Sequence, residues 1–168
     1  MALDGVMQPE ILLVNDSIRL RKFDGRSECF LPGYQDPVVY QNSEGIFDTA
    51  RIPDLEYVQR MCKYLANVGE LYYIEALEDG HFTPIGDVTI KPENPPIAIW
   101  CERYRANGIG TAVLRTVIER LRNLGYSQIT GSTVYSWNIS SQKLHEKLGF
   151  RRTSENEREI IYALDIDL

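Results

Sequence analysis

Two glycines, Gly108 and Gly110, open the most regular helical stretch of the chain, and this junction constrains the fold more than any other feature. From Gly108 to Asn123 the residues Ile109, Val113, Val117 and Leu121, followed by Leu124, fall on one stripe, the period of a helix with a single buried face. Gly125 then supplies a stop. A short apolar run, Ile97–Cys101, precedes the glycines, and Ile129–Tyr135 reads as a strand after the helix. The centre of the chain is thus strand, glycine loop, helix, strand.

The flanks extend that pattern. Ser17–Phe23 alternates Ile18 and Leu20 with Arg19 and Arg21, as a half-buried strand does. Asp24–Arg51 has no sustained period and predicts loop with one or two short helical turns. In Asp54–Asn67, Leu55, Val58, Cys62 and Leu65 share a helical face, opened by Pro53-Asp54 and closed by Gly69. Leu71–Leu77 and Ile85–Ile90 predict a hairpin across Glu78–His81. Asn138–Leu148 predicts a short helix closed by Gly149, and Ile160–Ile166 a strand paired with the region after Phe150. Strands gathered in the first half, then strand–helix–strand–helix–strand, indicate one α/β (α+β) domain over residues 1–168, a mixed sheet flanked by helices.

Composition bounds the function. With 168 residues, 43% hydrophobic and 25% charged, the chain can bury a core and is not disordered or fibrous. Its longest apolar runs, Ile11–Val14 and Ile97–Trp100, fall far short of the roughly 20 residues that span a bilayer. Met1–Gly5 has neither the basic nor the apolar region of a secretory leader, so the expectation is a cytoplasmic protein with no membrane contact. Lys and Arg number 18 against 24 Asp and Glu, a net charge of −6, which argues against nucleic-acid binding and is compatible with a cationic ligand such as an amine. Cys29, Cys62 and Cys101 form no CxxC pair and suit reduced thiols; with only His81 and His145 present, no metal site is expected.

The loop Arg105–Thr111 has two physical readings. Glycines ahead of a helix let the backbone approach a ligand, and the free amides of the first turn, with the helix dipole, suit a phosphate or pyrophosphate. A tight strand–helix turn needs glycine for steric reasons alone. Val113 stands where a dinucleotide fingerprint wants Gly or Ala, and no Gly-Lys-Ser/Thr is present, so the Rossmann and Walker loops are set aside.

Tyr104-Arg105-x-x-Gly108-x-Gly110-Thr111-Ala112 after a short apolar strand resembles the Arg/Gln-x-x-Gly-x-Gly/Ala signature of the GNAT N-acetyltransferase superfamily. The second half of that pattern, an Asn followed by a short helix ending in Leu-Gly-Phe, matches Asn138 through Leu148-Gly149-Phe150. The resemblance covers Ile97–Phe150, and element order carries it from Ser17 to the C-terminus; Tyr34-Gln-Asp-Pro37 adds a weaker likeness. It implies a central mixed sheet whose parallel strands, Ile97–Cys101 and Ile129–Tyr135, splay apart around acetyl-CoA as co-substrate. Ala98, Ile99 and Trp100 would offer backbone groups to the pantetheine. Arg105, Ala106, Asn107, Gly108, Ile109, Gly110 and Thr111 would hold the pyrophosphate. Asn138, assisted by Ser141, would hold the pantetheine arm, unless Asn138 or Ser136 only caps the helix.

The implied reaction is attack of a primary amine on the thioester, the acceptor being a small molecule in preference to a protein. An amine of pKa near 10.4 must first lose a proton, and Glu102, Asp87 and Glu75 are the carboxylates available, each with a solvated or structural role as the alternative. His145 stands where many members carry a Tyr acid; it either protonates the leaving thiolate or packs on the helix, leaving that step unaided or to Tyr135. Trp100 and Trp137 read as packing residues. Tyr34, Asp36, Tyr40, Glu44, Phe47 and Asp48 fall where the family builds its acceptor lid. A non-catalytic acyl-CoA-binding module and a nucleotide-binding α/β protein are the competing readings, with monomer and homodimer both open.

Overall fold

The computed structural model describes Leu3 and residues 5–166. Five strands form the first sheet in chain order: β1 (Ile11–Leu13), β2 (Ile18–Lys22), β3 (Glu70–Glu78), β4 (His81–Ile90) and β5 (Ile97–Ile99), all antiparallel. Three more, β6 (Gln128–Tyr135), β7 (Arg151–Glu155) and β8 (Glu159–Asp165), form a second antiparallel sheet in the order β6-β8-β7. The helices are α1 (Phe30–Tyr34), α2 (Pro37–Glu44), α3 (Leu55–Val68), α4 (Ile109–Asn123) and α5 (Ile139–Lys147).

The expected mixed sheet with splayed parallel strands is corrected here. The parallel relation is confined, among the described residues, to one bridge between Glu93 and Thr130. There Asn94 N–H donates to Thr130 O at 2.8 Å and Thr130 N–H to Pro92 O at 3.0 Å. The ladder cannot continue because Pro92, Pro95 and Pro96 lack amide donors and Asn94 takes a left-handed φ of 47°. The Asn94 side chain instead accepts from Thr133 N–H at 3.0 Å.

Alternation along β3 builds two cores from one strand. Tyr72 and Ile74 face α4, where Val113, Leu114, Val117, Ile118 and Leu121 are buried. Leu71 and Tyr73 face the other side, with Phe30 of α1 and Val58, Cys62 and Leu65 of α3. A strand buried on both faces is why Leu71–Leu77 reads as a nearly continuous apolar run. Each of the fully buried α4 side chains contributes about 1.5–3 kcal/mol by leaving water. The two buried carboxylates of β3 are ion-paired: Glu70 with Arg120 at 2.8 Å, and Glu75 with Arg19 and Arg21 at 2.8 and 2.9 Å.

Most expected elements lie within a residue or two of their predicted bounds. The exceptions are β1, absent from the sequence reading, and β4, which begins at His81 and runs through Pro84 beside an irregularity in the β3 register. Asp24–Arg51 is more ordered than expected. Asp36 caps α2 by accepting from Val38 N–H, Pro37 fills its first position, and Asp48 starts a short 3-10 turn.

Candidate active site

A cleft of about 390 Å³ lies where β5, the following loop and the first turn of α4 meet α2 and α5. Its floor is the free edge of β5. Thr89 N–H donates to Pro96 O and Trp100 N–H to Ile85 O, so alternate residues 96, 98 and 100 point their backbone groups at β4. Ile97 and Ile99 therefore present theirs to the open side. The structure moves the edge groups from the expected set, Ala98, Ile99 and Trp100, to Ile97 and Ile99; Ala98 still lines the cleft, and Trp100 does not. β5 sits this close to β4 because of Gly86, at which a Cβ would overlap the Ala98 carbonyl.

Arg105 closes one end. Its guanidinium donates to Ile99 O at 3.1 Å and Trp100 O at 2.7 Å and lies 3.4 Å from the Asp36 carboxylate, tying the loop before α4 to the α2 cap. Ala106 holds φ at 61° and Gly108 at 78°. Left-handed backbone costs a non-glycine residue about 1–2 kcal/mol, so Ala106 is a strained position in the wall of a cleft. Gly108 is the N-cap of α4 and offers no capping side chain, and the first turn holds no acidic residue. Its orphan amides, with Gly108, Ile109, Gly110 and Thr111 all lining the cleft, have no side-chain acceptor. Asn107 turns away, its side chain donating to Arg103 O at 2.8 Å.

The opposite wall is α5. Asn138 caps it, accepting from Ser141 N–H at 3.2 Å, and both residues line the cleft. Cap and cleft residue are thus the same side chain. Lys143 and Lys147, which the sequence reading passed over, also line it, as do Val38, Val39, Asn42 and Ser43 of α2. The i, i+4 spacing of the two lysines after Asn138 was the available signal.

None of the four residues expected to move protons, His145, Glu102, Glu75 and Asp87, lines the cleft. His145 is 6% exposed, stacked on Tyr162 at 5.2 Å and edge-on to Phe150 at 4.8 Å. Its Nδ1–H donates to Ser141 O at 2.7 Å, and burial pushes its pKa down, so the ring is neutral at pH 7 and its proton is engaged. The side chain packs between Phe150 and Tyr162 and does not reach the cleft lining. Glu102 is exposed at the start of a short 3-10 turn. Glu75 is held by its two arginines. Asp87 is 1% exposed under Trp100 and Tyr34, whose indole N–H and hydroxyl both donate to its Oδ2 at 2.8 Å. Burial raises its pKa to about 7, with those two hydrogen bonds opposing the rise. Glu44 is the other carboxyl raised by burial, partly offset by the hydrogen bond from Tyr57 at 2.9 Å.

On an α+β frame, an uncapped helix N-terminus, a free strand edge and three cations line a cleft with the donors to accept an extended anionic ligand beside a sheet. The chain belongs to the Acetyltransferase (GNAT) family, whose match spans residues 39–150, and is an N-acetyltransferase of that family. A domain from Methanocaldococcus jannaschii is similar in structure, with a TM-score of 0.74 at 25% identity over 89% of this chain and 99% of that one. The microcin C7 self-immunity acetyltransferase MccE, in complex with acetyl-CoA and AMP, has a TM-score of 0.68 at 15% identity, over 94% and 97%. A Salmonella typhimurium acetyltransferase that modifies the N-terminal serine of 50S ribosomal subunit protein L7/L12 has a TM-score of 0.69 at 14% identity, over 94% and 100%. These last two share the fold. No curated protein matches the chain. No described helix is long and apolar enough to cross a membrane.

Proposed function

We propose that the chain transfers an acetyl group from acetyl-CoA to a small primary amine, with the cleft between β5, α4 and α5 as the cofactor site. The observation that carries this reading is the convergence of free polar groups: the α4 amides, the outward backbone groups of Ile97, the Ile99 N–H and the Lys143 and Lys147 ammoniums meet in one opening beside the engaged Arg105. Such a donor set fits pyrophosphate at the helix start and an amide-bearing arm along the strand edge. At Gly108 an added Cβ would meet open space, so the room needed beside these amides exists. Bound acetyl-CoA supplies an activated thioester.

The chain's own residues orient and deprotonate. Arg105, fixed on the Ile99 and Trp100 carbonyls, sets the end of the edge; Asn138 holds the start of α5 against it. Of the expected proton carriers, Asp87 is the one whose surroundings suit a base. It pairs in register with Ala98 of the cleft floor, and the Tyr34 hydroxyl links it to α1. A carboxyl near 7 is half ionised at neutral pH, and its ionised form accepts the proton. Activity then rises as pH climbs through about 7. Glu102 and His145 take no role in this scheme.

One observation favours a second reading, a non-catalytic acyl-CoA-binding module: among the described residues no carboxylate lines the cleft. The same experiment separates the readings. Thermal-shift titration with CoA, acetyl-CoA, ATP and NAD should give stabilisation by the CoA species alone, about 2.7 kcal/mol at 100 times Kd. An amine screen with thiol detection should then give acceptor-dependent release, with Asp87→Asn lowering kcat roughly 100-fold or more at unchanged CoA affinity. CoA binding without release under any amine supports the module; stabilisation by ATP or NAD alone refutes both.

A further inference from the structure

The charged side chains lining the cleft are Arg105, Lys143 and Lys147, all cationic, although carboxylates outnumber cations in the chain by 24 to 18. Arg105 is engaged by two backbone carbonyls and Asp36. Lys143 and Lys147 are different. They stand one turn apart on α5, both exposed, and among the described residues neither ammonium lies within 4 Å of a carboxylate. Like charges at this spacing repel. Glu146, between them in sequence, is turned to Arg152 at 3.4 Å. Two unmated cations therefore face the same opening as the α4 amides.

We propose that Lys143 and Lys147 bind the 3′-phosphate of CoA, so that the enzyme distinguishes CoA from dephospho-CoA. This rests on the cofactor reading above. The pyrophosphate is an internal group, suited to fixed amides at a helix start. The 3′-phosphate is a terminal monoester with a charge of about −1.5 to −2, the strongest anion left once the amides are occupied. It matches compact ammonium charges on flexible stems, which follow a phosphate without needing the planar geometry of an arginine.

Titration calorimetry of the full chain with CoA and dephospho-CoA tests this. Wild type should bind CoA roughly tenfold tighter, about 1.4 kcal/mol, and the preference should shrink as salt screens the exposed pair. The double variant Lys143→Ala/Lys147→Ala should lose the preference while keeping its affinity for dephospho-CoA; Lys143→Glu/Lys147→Glu should invert it. Melting temperatures near wild type show that both variants fold. A preference that survives the alanine variant, or a wild type without one, overturns the assignment while leaving the cofactor site standing. A wild type that binds neither compound overturns the cofactor reading and this proposal with it.

Discussion

Helices α3 and α4 are nearly equal in length, 14 and 15 residues, and bury comparable apolar stripes, yet they begin in opposite ways. At α3, Asp54 accepts from Tyr57 N–H at 2.8 Å and Glu56 lies in the first turn, so the orphan amides and the positive end of the dipole are answered within the chain. At α4 a glycine stands in the cap position and no acid follows. An uncapped start lacks the roughly 1 kcal/mol that a good cap contributes. The difference teaches which helix end is structural and which is left open to a ligand: the amides that a fold-only design would satisfy are those facing the cleft.

Four substitutions break or sharpen that contrast, in descending order of expected effect. Gly110→Val fills the α4 entrance and should weaken CoA binding roughly 100-fold, about 2.7 kcal/mol, by calorimetry. Gly110 has helical backbone and an added Cβ would meet only Leu144 at 3.6 Å, so the melting temperature should stay within a few degrees. Thr111→Asp gives α4 the first-turn acid that α3 has. The fold should gain about 0.3–1 kcal/mol while CoA affinity drops roughly tenfold, and a variant that binds CoA normally would break the contrast. Asp54→Ala is the mirror image: about 1 kcal/mol of stability lost in denaturant unfolding, with CoA affinity unchanged.

The smallest effect should come at His145. His145→Gln should alter turnover by less than about threefold, because the imidazole proton is engaged away from the cleft. Its stability signature is separate. With the folded pKa below the unfolded value of about 6.5, the unfolded chain takes up the proton first. Wild type should thus lose stability as pH falls below about 6.5, and the variant should lack that component in melts between about pH 5 and 7.

Much of this was legible in the sequence, for reasons that differ by region. The α4 stripe, the Asp54 cap and the hairpin follow from local periodicity and turn chemistry, and Gly108–Thr111 with Asn138 and Ser141 converge as their spacing implied. What the sequence left open was non-local. Where each carboxylate sits depends on the register of β4 against β5, and no single-strand pattern reveals that Asp87 lies under Trp100. The parallel, splayed relation of Ile97–Cys101 and Ile129–Tyr135 was implied by the family resemblance, while the prolines beside the one bridge, Pro92, Pro95 and Pro96, were read only as a connection. His145 stands where many members of the family carry a Tyr, but its burial against Phe150 and Tyr162 is set by the packing of α5 on β8.

The single bridge between Glu93 and Thr130 has a mechanical consequence. Two sheets that share a core but, among the described residues, only one β-bridge should part their backbones at that seam before either ladder opens. In native-state hydrogen exchange the amides of Asn94 and Thr130 should open well ahead of those in β3 and β4, whose ladder runs from Glu70 to Glu78. A ligand lying across β5 and α5 staples the seam from outside, so occupancy would be read at Thr130, a residue that does not line the cleft.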